Sequence, residues 1–115
     1  MSRAAIHLCS TCNPDRADAD RCALQAAIDA AGLPADVREQ ACMNACAAPV
    51  SLALQGTGMA TYFFCGIEPA QDRDDIVSTV RHFLQSPQGW FEDARPCGRL
   101  RHCLAGRVPA LSSEA

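Results

Sequence analysis

The sequence predicts one α/β domain: a mixed four-stranded sheet flanked by two main helices, with a C-terminal extension. Three observations carry that expectation. Short apolar runs with strand character alternate with two longer runs of helical period. Glycine and proline fall between these runs, where turns are needed. At 115 residues, with 49% apolar and 20% charged content, the chain can bury a core without cross-links.

The elements follow in order. Arg3–Leu8 alternates weakly and reads as a first strand. Cys9–Arg21 reads as a loop, because Asn13-Pro14 and the Asp/Arg run are breakers. Cys22–Gly32 reads as a helix. Asp18 or Asp20 can cap it, Leu24, Ala27, Ile28 and Ala31 share one face, and Gly32 with Pro34 ends it. Ala35–Cys42 contains a short second strand, and Pro49–Leu54 is a third. Gly56–Gly58 is a hairpin turn into a fourth strand within Met59–Ile67. Pro69–Gln85 is a second helix, with Ile76, Val80, Phe83 and Leu84 on its apolar face. Residues 89–115 form the extension on a 1–88 domain, with a short helix from Pro96 to about Ala105 and a frayed end from Ser112.

A right-handed crossover makes the first two strands parallel, and the hairpin adds an antiparallel pair. Both helices then cover faces of the sheet. That order is thioredoxin-like. It brings the loop after strand one beside the loop before strand three.

Formal net charge is -3, and all ten basic residues are arginine. No run of like charge exists, which argues against nucleic acid or an anionic membrane as partner. No segment approaches the ~18 apolar residues of a membrane span. The first apolar run is too short for a secretory leader. A cytoplasmic protein is expected, and in that reducing compartment clustered cysteines bind metal or do redox work.

Eight cysteines are present: Cys9, Cys12, Cys22, Cys42, Cys46, Cys65, Cys97 and Cys103. Cys42 and Cys46, separated by three residues, can chelate one ion from a loop. A second pair brought beside them supplies four thiolates, enough for tetrahedral zinc or a 2Fe–2S cluster. Cys9 ends strand one. Its mate is Cys12, as a Cys-x-x-Cys chelate, or Cys22, at the start of helix one, where the helix dipole favours a thiolate. Cys9 and Cys12 also read as a redox dithiol, although a gap separates them from the expected helix. Cys65 alternates with Phe63 and reads as a buried strand cysteine. Cys97 and Cys103, six apart, do not face each other on a helix.

Cys9, twelve residues, Cys22, then Cys42-x-x-x-Cys46, with the hairpin, the aromatic strand and the second helix behind them, resemble the thioredoxin-like 2Fe–2S ferredoxins. The resemblance spans Ala4 to Leu84. It implies a 2Fe–2S cluster on Cys9, Cys22, Cys42 and Cys46, one-electron transfer with protein redox partners, and a homodimer. A second resemblance covers nearly the whole chain. Cys9/Cys12, Cys42/Cys46, Thr61-Tyr62, and Arg95-Pro96 through Arg107-Val108-Pro109 are similar to a bacterial family of small predicted metal-binding proteins of unassigned function. That pattern implies Cys12 as the fourth ligand.

His7, His82 and His102 read as surface or packing groups. The acidic pieces at residues 15–20 and 72–75 read as solvated charge near helix starts. No phosphate loop, nucleophile elbow or paired-carboxylate site is visible, so an electron-transfer protein is expected rather than an enzyme. A zinc module and a dithiol oxidoreductase are the competing expectations.

Overall fold

The computed structural model describes residues 4–9, 14–40 and 50–110. The first strand, β1, runs Ala4–Cys9 and buries Ala4, Ile6 and Leu8 on one side. Helix α1 runs Pro14–Ala30. It therefore begins eight residues before Cys22, not at it. The residues that read as breakers make a good helix start instead. Proline is favoured at the first helical position, where its missing N–H costs nothing, and Asp15 in the first turn complements the dipole. Asp18 and Asp20 lie inside the helix and do not cap it. Its C-terminus closes as expected: Gly32 N–H donates to Asp29 O at 3.0 Å and Leu33 N–H to Ile28 O at 3.2 Å.

Strand β2 is Ala35–Gln40, β3 is Leu52–Gly56 and β4 is Thr61–Phe64. The β3–β4 hairpin turns through Met59 N–H donating to Gly56 O at 3.0 Å. Helix α2 is Arg73–Gln85, with Asp74 and Asp75 in its first turn. A 3-10 turn at Pro87–Gly89 follows, then a 3-10 helix at Arg95–His102. The last described element is β5, Leu104–Val108.

The sheet is mixed and five-stranded, ordered β2-β1-β3-β4-β5, where four strands were expected. β1 and β2 are parallel, and every other pair is antiparallel. The helix expected from Pro96 to about Ala105 is a 3-10 helix that ends at His102, and β5 takes its last two residues. It escaped the sequence pattern because it is an edge strand without a buried face: Leu104 is 42% and Val108 54% exposed.

Both helices lie on the same face of the sheet, not on opposite ones. Leu24 and Ile28 of α1 and Ile76, Val80 and Phe83 of α2 share one core with Ile6, Leu54, Tyr62 and Phe64 of the strands. The two helices also touch each other. The alternation explains this. Ala5, His7 and Gln55, on the other side of the strands, are small or polar and offer no apolar layer for a helix.

The 3-10 helix is tied to α2 through charge. Arg99 Nε donates to Asp72 Oδ1 at 2.8 Å, and its Nη2 reaches Asp72 Oδ2 and also Gly66 O, the latter at 2.8 Å. Arg99 N–H donates to Asp75 Oδ2 at 3.1 Å. Asp72 is 3% exposed, and Arg99 holds its carboxyl below the usual carboxylate range. Beneath, Phe91 stacks on Tyr62 at 4.6 Å between ring centres and donates its N–H to the Tyr62 hydroxyl at 3.0 Å. Among the described residues, no helix is long and apolar enough to cross a membrane.

Candidate thiol centre at one end of the sheet

β1 and β2 run in the same direction, and β3 runs against them. So β1, β2 and β4 end, and β3 and β5 begin, at one end of the sheet. Cys9, the last residue of β1, sits in the middle of that end and is 2% exposed. On one side it is in register with Gln40, the last residue of β2. On the other side its N–H donates to Ser51 O at 3.0 Å.

Cys42 and Cys46 lie outside the described residues, but the points where their segment leaves and re-enters the sheet do not. It leaves after Gln40 and returns at Val50, so its two anchors flank Cys9 on its neighbouring strands. Cys42 is two residues from Gln40, a reach of at most about 7 Å along the chain. Cys12 also lies outside the described residues; in sequence it is two positions before Pro14, where α1 begins.

Cys22 is placed differently. It is exposed, in the middle of α1, about 12 Å along the axis from Pro14. Arg21 Nη2 donates to its sulfur at 3.3 Å, and Arg21 also pairs with Glu39 of β2 at 3.1 Å and Asp18 at 2.8 Å. Cys22 therefore flanks the β2 edge on the helical side of the sheet. Cys9 alternates with Ala5 and His7, on the other side. The helix-start position expected for Cys22 is corrected by the early start of α1.

The remaining sulfurs separate by environment. Cys97 is 1% exposed, and burial pushes its thiol up, opposed by a hydrogen bond with Thr79. Cys103 is 7% exposed and also raised by burial, with Arg99 pulling the other way. Both belong to the buried core cluster. Cys65 is half-buried, not buried as the strand pattern suggested. His102 is exposed beside Arg101, and among the described residues no three His, Cys, Asp or Glu side chains gather as a metal site.

Two polar features border the thiol end. His7, two residues before Cys9, has a buried Nε2 without a hydrogen-bond partner among the described residues. A cleft of about 300 Å³ opens beside Val50, lined by Arg16, Asp20, Ile67, Glu68 and Gln71. Arg16 and Asp20 approach to 3.5 Å across one helical turn. Asp20 is nevertheless 7% exposed and Asp72 3%, so these two acids, expected as solvated charge, are buried, each beside an arginine.

A family model described as "Protein of unknown function (DUF1636)" matches residues 6–110. The chain belongs to the DUF1636 family. The match runs from Ile6 within β1 through β5, so the C-terminal strand and the Arg99 clasp are within the family's own extent. This membership agrees with the resemblance to a family of small proteins without assigned function. No curated protein and no solved structure matches the DUF1636 chain.

The sequence reading did not find what Cys65 neighbours. Its alternation with Phe63 was legible, but the partner strand and register were not.

Proposed function

We propose that this sheet end is a thiolate metal centre holding a 2Fe–2S cluster, in a protein that carries single electrons and has a thioredoxin-like core. The observation that carries the reading is Cys9: it sits between the two anchors of the segment bearing Cys42 and Cys46. A strand order of 2-1-3-4 with the first pair parallel and both helices on one face supports the thioredoxin-like core, to which β5 is added.

The residues fit such a group. The donors are thiols, which select iron–sulfur clusters, zinc and other soft metals. Cys9 is fixed by ladder hydrogen bonds on both sides of its strand and shielded from water. The His7 Nε2 on the same face lacks a hydrogen-bond partner among the described residues. When bound, the cluster supplies a one-electron redox couple. The chain orients Cys9 through the β1 ladder and the Ser51 hydrogen bond, and keeps it at 2% exposure.

Cys9, Cys42 and Cys46 form three members of the ligand set. For the fourth, the early start of α1 favours Cys12 over Cys22. The positive end of the helix dipole lies two residues from Cys12 and eight from Cys22. The reading assumes a reducing compartment such as the cytoplasm, a protein redox partner and, from the ferredoxin resemblance, a homodimer.

A dithiol oxidoreductase using Cys9 and Cys12 gains from the same helix start, since the gap that separated the pair from a helix is one residue. The 2% exposure of Cys9 favours ligation over exchange, which needs an accessible sulfur.

The test is protein purified without oxygen and examined by visible absorption and paramagnetic resonance, before and after reduction. A reddish-brown protein whose colour bleaches on reduction is expected. Cys9→Ser, Cys42→Ser, Cys46→Ser and Cys12→Ser lose the signal, and Cys22→Ser keeps it. Stoichiometric zinc in a colourless protein overturns the cluster but keeps the thiolate centre. Thiol–disulfide activity of metal-free protein, lost in Cys12→Ser and kept in Cys42→Ser, overturns both.

A further inference from the structure

We propose that Cys65 and Cys103 form a redox-active dithiol, which closes to a disulfide by exchange with a small disulfide of the glutathione type. The inference stands on described residues alone and is independent of the thiolate-centre reading.

Two free thiols stand where β4 ends and β5 begins. Phe64 pairs with Leu104 across these antiparallel strands; Cys65 follows the one and Cys103 precedes the other. Cys65 N–H donates to Cys103 O at 2.9 Å. Backbones joined in this way hold their Cα atoms about 5.5 Å apart. Disulfides span about 4.4–6.8 Å between Cα atoms, so the two backbones already stand at bridging distance. The side chains also sense each other. Burial raises the Cys103 thiol, Arg99 opposes the rise, and charge on Asp72 and on Cys65 adds to it. Cys103 Sγ lies 3.6 Å from Arg99 O, a weak sulfur contact that side-chain rotation gives up at little cost.

The rest of the corner holds this pair in place. Arg99 Nη2 donates to O of Gly66, the residue after Cys65, at 2.8 Å. Cys103 N–H donates to Leu100 O at 2.9 Å. Reacting groups fixed in this way lose little freedom when the bond forms. Cys97 is committed elsewhere: it is 1% exposed, and its thiol shares a hydrogen bond with Thr79 of α2.

Exposure sets the order of the steps. Cys65 is half-buried and admits a small disulfide, whereas Cys103 is 7% exposed. Cys65 gives its proton to solvent, and its sulfur attacks one sulfur of the small disulfide. That molecule's S–S bond breaks, and one half leaves as a thiolate that takes up a proton. Cys103 then loses its proton, attacks the Cys65 sulfur and expels the other half as a second thiol. The protein gives up two electrons, and the small disulfide gains them. Excess small thiol runs both steps backward. The closed form fastens the start of β5 to the end of β4, at the corner that Arg99 and Asp72 hold by charge.

The experiment incubates the reduced full chain with oxidised glutathione, blocks the remaining thiols by alkylation and reads linked peptides by mass. Cleavage after arginine and aromatic residues separates Cys65 from Cys42 and Cys46, and Cys103 from Cys97. In wild type the Cys65–Cys103 link is expected to exceed every other link of Cys65 at least tenfold. Cys103→Ser is expected to stop at the mixed disulfide, with at least tenfold more glutathione on Cys65 than in wild type. Cys97→Ser is expected to keep the wild-type link. Wild type that retains Cys65 as a free thiol or as a glutathione adduct overturns the inference, and that measurement needs no variant to fold. Links from Cys65 or Cys103 to other cysteines at comparable yield overturn it too. Either result leaves the thiolate centre standing.

Discussion

The two ends of the sheet are built to different plans. At one end, β1–α1, β2–β3 and the approach to α2 are joined by segments rich in cysteine, with Cys9 closing β1 and Cys65 following β4 there. At the other end, α1 turns into β2 through Gly32-Leu33-Pro34, and β3 turns into β4 through Thr57–Ala60, with no cysteine in either turn. The difference teaches where this chain keeps stability apart from chemistry. The cysteine-free turns close the fold in few residues, and the aromatic core seals it. The opposite end has the longer connections, where function is free to sit.

That division is open to attack by substitution, and the sharpest blow falls on the core. Phe83 is 0% exposed and meets Tyr62 edge-on at 5.9 Å. Phe83→Ala is expected to destabilise by about 3–5 kcal/mol, read as a lower urea midpoint. Metal affinity, measured in the still-folded fraction, should hardly move. A large loss of affinity there would break the separation.

Next comes the clasp. Arg99→Ala leaves the buried Asp72 carboxylate without its guanidinium and frees Gly66 O. A loss of about 2 kcal/mol is expected, discounted because Arg99 is partly exposed. The loss is read as a lower urea midpoint. The same pair sets an acid limit. Asp72 has its pKa lowered by Arg99, so its contribution is complete above the ordinary carboxylate pKa of ~3.9 and is lost as pH falls through the lower folded value. Asp72→Asn should therefore show a shallower fall in stability below about pH 4 than wild type, followed by thermal melts across that range.

A smaller effect belongs to the hairpin. Gly58 has φ 72, and a Cβ there meets nothing within 4 Å. Gly58→Ala should cost about 1 kcal/mol from backbone strain alone, without touching metal binding.

Much of the architecture was legible from local pattern. Ile6 and Leu8, Leu24 and Ile28, and Ile76, Val80 and Phe83 each announced a buried side by period, and each is buried. The start of α1 was misread because Pro14 and the aspartates break helices in the interior and favour them at the first turn. Which effect wins depends on where the first turn falls, and that is not written in composition. β5 was invisible because Leu104, Gly106 and Val108 gain their order from the β4 edge and not from burial of their own. The site was half legible. Cys9 at a strand end followed from the alternation of β1. The neighbourhood of Cys65 did not, because its backbone meets Cys103 just before β5, the strand that local pattern does not reveal.

The position of Cys9 on an interior strand has a consequence for biosynthesis. β2, one neighbour, follows a helical crossover, and β3 and β4 come later still. The hydrogen bond from Cys9 N–H to Ser51 O forms only after Ser51 has left the ribosome. Under the proposed thiolate-centre reading, loading with metal therefore waits for the later strands and does not begin when Cys9 itself emerges.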